Sequence, residues 1–248
     1  MRRNWRRIAL VALAVLLVVL AAGFVWLNDL TDPTAEASAA MASDASVTVT
    51  ADGRLEFQPS APADTGFIFY PGARIAPEAY APPVRAIAEA GYLGVITPMP
   101  FGLAVLAPDA ADAVIEAHPE IEHWVIGGHS LGGAMAAQYS AGHDDVIDGL
   151  ALWAAYPAAG TDLSGAGITV TSISASNDGL ATPDEIEASA AQLPPDTTFV
   201  EIEGGNHAGF GWYGEQAGDG AASISRQEQQ AQTVAATLDV LESVSTSE

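Results

Sequence analysis

The sequence predicts an α/β domain in which a mostly parallel sheet is covered by helices on both faces. Three observations carry that expectation. Beyond residue 65, short apolar segments alternate with segments of helical pattern, which is the order that covers a parallel sheet on both sides. Residues 124–140 run an apolar, strand-like segment through Gly128-His129-Ser130-Leu131-Gly132 into a helix of small residues. Two capping-box patterns, Thr182 with Glu185 and Ser225 with Glu228, mark where further helices begin.

Taken in order, the chain opens with Arg2, Arg3, Arg6 and Arg7, followed by twenty uninterrupted apolar or small residues from Ile8 to Leu27. That length spans a bilayer core, so residues 1–28 are expected to be a basic cytoplasmic tip and a transmembrane signal anchor. The lipid bilayer is then a partner through residues 8–27, and everything beyond residue 28 lies outside the cytoplasm, at the cell membrane. A cleaved signal peptide with secretion is the competing reading, because Ala35-Glu36-Ala37 and Ala37-Ser38-Ala39 resemble small-residue cleavage sites. The apolar run exceeds the usual 7–15 or so residues of such a peptide, which favours the retained anchor.

Residues 29–44, with Pro33 and many alanines and serines, read as a linker into a domain over 45–248. Val47–Thr50 and Leu55–Phe57, separated by Ala51-Asp52-Gly53, predict an antiparallel hairpin. Strands are expected over 66–70, 92–97, 123–127, 147–154, 168–174 and 199–202. Helices are expected over 77–90, 104–117, from 182, and from 225 to about Leu241. Between Ala154 and Ile168 there is room for a short loop only, so no large lid is expected.

Composition narrows the functions open to the chain. Beyond residue 28 it carries 31 acidic residues against only four arginines, Arg54, Arg74, Arg85 and Arg226, and it has no lysine. Such a surface repels nucleic acid, which is not expected as a partner. The absence of cysteine excludes disulfides, thiol nucleophiles and zinc–thiolate sites. No metal or cofactor is expected: His118-Pro119-Glu120-Ile121-Glu122-His123 lacks the helical His-Glu-x-x-His spacing and reads as a solvated loop.

Gly128-His129-Ser130-Leu131-Gly132 is the Gly-x-Ser-x-Gly pattern of a nucleophile elbow, here with a strand before it and a helix after it. The flanking glycines suit a turn so tight that neighbouring backbones leave no room for β-carbons. Ser130 is the candidate nucleophile. A serine hydroxyl needs a base to take its proton, and the base is usually a histidine oriented by a carboxylate. Of the five histidines, His207 lies in a glycine-rich loop after the last expected strand; His129 adjoins the serine and points elsewhere, and His118, His123 and His143 fall away from that edge. Asp178 follows the strand over 168–174 and is the candidate acid; Asp184 is its rival, but a place in the first turn of a helix already accounts for it. Oxyanion donors are expected from the Leu131 amide and from the turn Tyr70-Pro71-Gly72-Ala73-Arg74, where Ala73 is preferred and Gly72 and Arg74 stay open.

Three blocks carry a resemblance: Phe69–Ala73 with Pro77–Tyr80, Gly127–Gly133, and Glu203–Ala208 with Phe210-Gly211. On these the chain resembles serine hydrolases of the α/β-hydrolase fold, within them a compact, membrane-anchored, esterase-like group distantly similar to dienelactone hydrolases. The resemblance implies a Ser130–His207–Asp178 triad acting on a small acyl substrate, an ester, through an acyl-enzyme intermediate. Two departures stand out: the oxyanion loop lacks the His-Gly opening common in lipases, and Ser130 replaces the cysteine that dienelactone hydrolases use. An acyltransferase or peptidase would use the same residues, and an inactive binding module would keep the fold alone.

Overall fold

The computed structural model describes residues 29–246 and, before them, Leu13, Leu17, Val18 and Gly23. The chain divides into two units, residues 1–30 and 31–248. The expected span over residues 8–27 lies outside the described residues except at those four positions, which are helical. Among the described residues no helix is long and apolar enough to cross a membrane.

The second unit is built on eight strands: β1 Val47–Ala51, β2 Leu55–Pro59, β3 Thr65–Tyr70, β4 Leu93–Ile96, β5 His123–His129, β6 Gly149–Trp153, β7 Thr169–Ala175 and β8 Thr198–Ile202. They form one sheet in the order β1-β2-β4-β3-β5-β6-β7-β8. The expected hairpin β1–β2 is antiparallel and β2 pairs antiparallel with β4, while every later pairing is parallel. The carboxyl ends of β3 to β8 therefore share one edge.

Among the described residues six α-helices accompany the sheet: α1 Ala35–Ala40, α2 Ala81–Glu89, α3 Asp112–Ala117, α4 Leu131–Ser140, α5 Pro183–Ser189 and α6 Arg226–Ser245. Alternation along the strands decides which face each side chain covers. Phe67, Phe69 and Trp153 join Val84 and Ile87 of α2 and Val240, Leu241 and Val244 of α6 in one buried cluster. Ile68, Tyr70, Ile126 and Leu152 join Val114 of α3 and Met135 and Ala136 of α4 in the other. All six residues of β3 are buried, as a strand with a helical layer on each face requires.

Both capping boxes are formed: Thr182 with Glu185 opens α5, and Ser225 with Glu228 opens α6, which runs to Ser245 rather than ending near Leu241. Two helices differ from expectation for identifiable reasons. The helix expected over 77–90 is a 3₁₀ turn, Pro77–Tyr80, followed by α2. Pro82 and Pro83 cannot donate to a preceding turn and are tolerated only where a helix begins. Over 104–117 only a 3₁₀ turn, Ala104–Leu106, and α3 form. Pro108 breaks the run, and the buried Tyr70 hydroxyl enters the gap, donating to Pro108 O at 2.8 Å and accepting from the Ala111 amide at 2.8 Å.

The stretch expected to be a linker, residues 29–44, is structured from Thr31 on. Thr31 bridges to Ile75 and Pro33 to Tyr213. Thr34 caps α1, Ala37 is fully buried, and Arg85 donates to Ala40 O at 3.1 Å and Ala42 O at 2.6 Å. An alanine- and serine-rich segment reads as linker by composition, but alanine also favours helix, and these long-range partners decide between the two.

Candidate active site

The turn from β5 into α4 holds Ser130 at φ 53° and ψ −123°, a conformation that side-chain-bearing residues rarely adopt. The strain is held by the surroundings. The Ser130 amide donates to Trp153 O at 3.0 Å, and α4 starts at the next residue. A β-carbon on Gly128 would lie 2.5 Å from the Gly132 carbonyl carbon, and one on Gly132 would lie 2.1 Å from Tyr70 O. Glycine is thus required at both positions, because the atoms in the way are backbone and cannot yield.

Ser130 is one of four non-glycine residues with positive φ among the described residues; the others are Arg74, Phe101 and Ala154. They lie in the loops after β3, β4, β5 and β6, so every one of them is at the carboxyl edge of the sheet. Backbone strain gathers where a fold holds residues for a purpose other than its own stability. In open α/β sheets this edge is also where ligands bind.

Asp178 follows β7 and His207 follows β8. His207 Nδ1 donates to Asp178 Oδ2 at 2.8 Å, with side-chain exposures of 1% and 0%. The other carboxylate oxygen of Asp178 accepts the Leu180 and Ala181 amides, each at 2.8 Å, which fixes the carboxylate plane and leaves Oδ2 for the imidazole. His207 Nε2 is buried and has no hydrogen-bond partner among the described residues. The His207 ring packs 4.4 Å from the ring of His129, the residue next to Ser130. The structure thus joins Asp178 to His207 and seats His207 against the elbow, while the Ser130 hydroxyl and His207 Nε2 are not hydrogen bonded. Asp184 is exposed in the first turn of α5 and takes no part.

The remaining histidines are engaged elsewhere. His118 contacts Glu56 and Glu120, His123 contacts Asp148, and His143 stacks on Tyr139 with ring centroids 4.0 Å apart. Among the described residues no group of three or more His, Asp or Glu side chains is arranged to hold a metal ion.

Hydrogen bonding separates the amides of the turn after β3. The Gly72 amide donates to the Tyr80 hydroxyl at 3.1 Å and the Arg74 amide to Gly102 O at 2.7 Å. Among the described residues the amides of Ala73 and Leu131 have no such partner. A β-carbon on Gly132 would also lie 2.4 Å from Pro71 O, so the first turn of α4 sits directly against the loop that carries Ala73.

Two residues of the site, His129 and Tyr80, do not stand out in the sequence. His129 is fully buried, with Nδ1 2.8 Å from the Tyr80 hydroxyl. That hydroxyl accepts from the Gly72 amide and shares a second hydrogen bond with His129 Nδ1, while His129 Nε2 is buried with no hydrogen-bond partner among the described residues. Burial, reinforced by the charge that His207 can carry, holds the His129 pKa well below the usual histidine range, and the ring stays neutral. Tyr80 thereby ties the turn after β3 to the elbow. Its place within Pro77–Tyr80, one of the blocks that carry the resemblance, is the signal that could have singled it out.

Around the site, Phe210 and Tyr213 are buried against the His129 ring, and Met99 is buried in the core, so none of these forms an open pocket wall. Phe101 is 37% exposed at the rim. Residues 154–168 connect β6 to β7 without a helix, so no lid arises there.

No curated protein matches the chain. Solved structures do. A hydrolase described as CIB-like, from Thermoplasma acidophilum, superposes with a TM-score of 0.57 at 14% identity, over 78% of this chain and 99% of that one. A protein of Thermus thermophilus gives 0.56 at 13% identity, over 79% and 98%. An alpha/beta hydrolase enzyme from the sediment metagenome of the Mar Chica lagoon, Morocco, gives 0.52 at 16% identity, over 65% and 90%. At such identities the likeness shows the fold. Residues 66–231, which include the strained turn, the acid and the buried imidazole, match the alpha/beta hydrolase family, and the chain belongs to that family.

Proposed function

We propose that the chain is a serine hydrolase that cleaves carboxylic esters of small acyl substrates through an acyl-enzyme intermediate. The observation that carries this reading is the buried Asp178–His207 pair, whose unpartnered Nε2 lies beside a strained serine elbow. Ser130 Oγ attacks the ester carbonyl as His207 Nε2 takes its proton, and Asp178 stabilises the imidazolium that results. The Ala73 and Leu131 amides and the amino end of α4 receive the negative charge on the tetrahedral oxygen. His207 then passes its proton to the departing alkoxide, which leaves as the alcohol. Water, deprotonated by the same Nε2, attacks the acyl-enzyme, and collapse of the second tetrahedral intermediate frees the acid and Ser130.

The turn after β6 has no helical cover, so short-chain esters should reach Ser130 without an interface. The experiment is a fluorophosphonate label on the folded full chain with Ser130→Ala beside it, followed by p-nitrophenyl acetate, butyrate and octanoate. Labelling on Ser130 and hydrolysis that falls by several orders of magnitude in Ser130→Ala are expected. No adduct on Ser130, or activity only above the substrate's micelle concentration, overturns the reading.

We further propose that residues 8–27 tether this activity to the outer face of the cell membrane, on the strength of the apolar run and its four arginines. The full chain should stay in the membrane fraction after an alkaline carbonate wash, and a chain lacking residues 1–28 should not. Release of an intact full chain into the wash would sink the tether.

A further inference from the structure

His207 and Asp178 stand on loops from neighbouring strands, and their 2.8 Å hydrogen bond holds only while both loops keep their spacing. Asp178 is fixed within its own loop by two local amides. Among the described residues, His207 is held within its own loop only by the Phe210 amide, which donates to its carbonyl at 3.3 Å. The neighbouring Asn206 is gripped from α6 by Gln229, which accepts from the Asn206 amide at 3.0 Å and donates to Asn206 O at 2.7 Å.

The backbone of His207 itself is held by Asp219. One oxygen of this carboxylate accepts the His207 amide at 3.1 Å and the other accepts the Ala208 amide at 2.8 Å. The first oxygen also accepts the Gly179 amide at 3.3 Å, next to Asp178, and the Gly220 amide at 2.8 Å. An aspartate that merely shapes its own turn would be served by Gly220 alone. The other three donors are 11, 12 and 40 residues away and belong to the acid and base loops.

The segment around Asp219 is wedged between those loops. Asn177 Nδ2 donates to Ala221 O at 3.1 Å, and Asn206 Nδ2 donates to Gly220 O at 2.8 Å. A β-carbon on Gly220 would lie 2.0 Å from Asn177 O, and one on Gly179 would lie 2.4 Å from Gly218 O. Contacts this close leave the three loops little freedom to move independently.

We infer that Asp219 is a positioning residue: its carboxylate clamps the base loop to the acid loop and sets the Asp178–His207 hydrogen bond. The inference rests on the triad proposed above. The Ala208 amide is what requires a carboxylate: an asparagine whose oxygen kept the His207, Gly179 and Gly220 amides would turn its own N–H against Ala208 and push the His207 loop away. Asp219 touches no reacting atom, so its effect is on the placement of the imidazole.

The test compares the full chain with Asp219→Asn and Asp219→Ala, checked for folding by thermal unfolding. Two readouts separate positioning from bulk stability: kcat and KM on p-nitrophenyl acetate, and the downfield proton resonance of the His207 Nδ1–H bonded to Asp178. Expected are a fall in kcat of about 10–100-fold with KM within about twofold, and a resonance that shifts or is lost while the folded fraction is unchanged. An unchanged kcat together with an unchanged resonance in either folded variant overturns the inference. So does a loss of activity that follows only the loss of folded protein. If the unaltered chain hydrolyses no ester, the proposed function fails, yet the resonance still reports whether Asp219 positions His207.

Discussion

His207 Nδ1 meets Asp178 Oδ2 at 2.8 Å, and the carboxylate cannot turn away because its other oxygen is held by the Leu180 and Ala181 amides. The bond therefore sets the imidazole tautomer as well as its direction. Asp178→Asn should preserve the amide contacts through its oxygen and present an N–H toward Nδ1. That forces the proton onto Nε2, where it cannot receive another from Ser130. A loss of about 10³–10⁴-fold in kcat is expected, with the fold intact by circular dichroism. A loss below tenfold would show that Asp178 does not orient the base.

Among the described residues the turn after β3 leaves one backbone amide free to act on substrate. Gly72 and Arg74 have spent their amides on Tyr80 and Gly102, whereas Ala73 has not. Replacing Ala73 by lactic acid through nonsense suppression removes one N–H and keeps the side chain. Loss of one oxyanion donor lowers kcat by about 10²–10³-fold, equivalent to roughly 3–4 kcal/mol of transition-state stabilisation. Equal activity in the ester-backbone protein would remove Ala73 from the oxyanion site.

Much of this arrangement is legible in the sequence because its causes are local. Gly128 and Gly132 announce the elbow, and a candidate acid and base that each follow a strand fall at one edge by topology alone. What escapes the sequence is decided at long range. The break in the helix expected over 104–117 depends on the Tyr70 hydroxyl reaching Pro108 and Ala111. The order in residues 31–44 depends on Arg85, Ile75 and Tyr213. The sequence of the five-residue turn leaves Gly72, Ala73 and Arg74 all open, because Tyr80, eight residues from Gly72, claims the Gly72 amide. His129 points away from Ser130, and that direction lets it meet Tyr80.

Trp153, at the end of β6, allows a test of stability separate from chemistry. Its indole N–H donates to Thr237 Oγ1 at 3.0 Å, and both residues are fully buried between the sheet and α6. Thr237→Val keeps the shape and deletes the acceptor, leaving a buried donor unsatisfied. A loss of about 1–3 kcal/mol is expected, which lowers Tm by several degrees in a domain of this size. A Tm within about one degree of the unaltered protein would show that the indole N–H finds another partner.

His129 predicts how stability depends on pH. In the unfolded chain its imidazole takes up a proton near pH 6.5, whereas in the folded protein burial and the neighbouring His207 keep it neutral well below that. Above about pH 6.5 both states are neutral and the contribution is whole. As pH falls below that value the unfolded state binds the extra proton, so stability declines, by up to about 1.4 kcal/mol per pH unit for this one group. Glu56, Glu185 and Glu228, whose pKa values are lowered in the folded protein, act in the same direction, but their contribution is lost only as pH falls through the ordinary carboxylate range and below. The interval from about pH 6.5 to 5 therefore lies above the carboxylate contributions, and comparison with a variant at residue 129 separates His129 from the other histidines. His129→Asn keeps an acceptor for the Tyr80 hydroxyl and removes the titrating group. Thermal unfolding from pH 8 to 5 should show a shallower decline for His129→Asn than for the unaltered chain; parallel curves would mean that His129 is protonated to the same degree in both states.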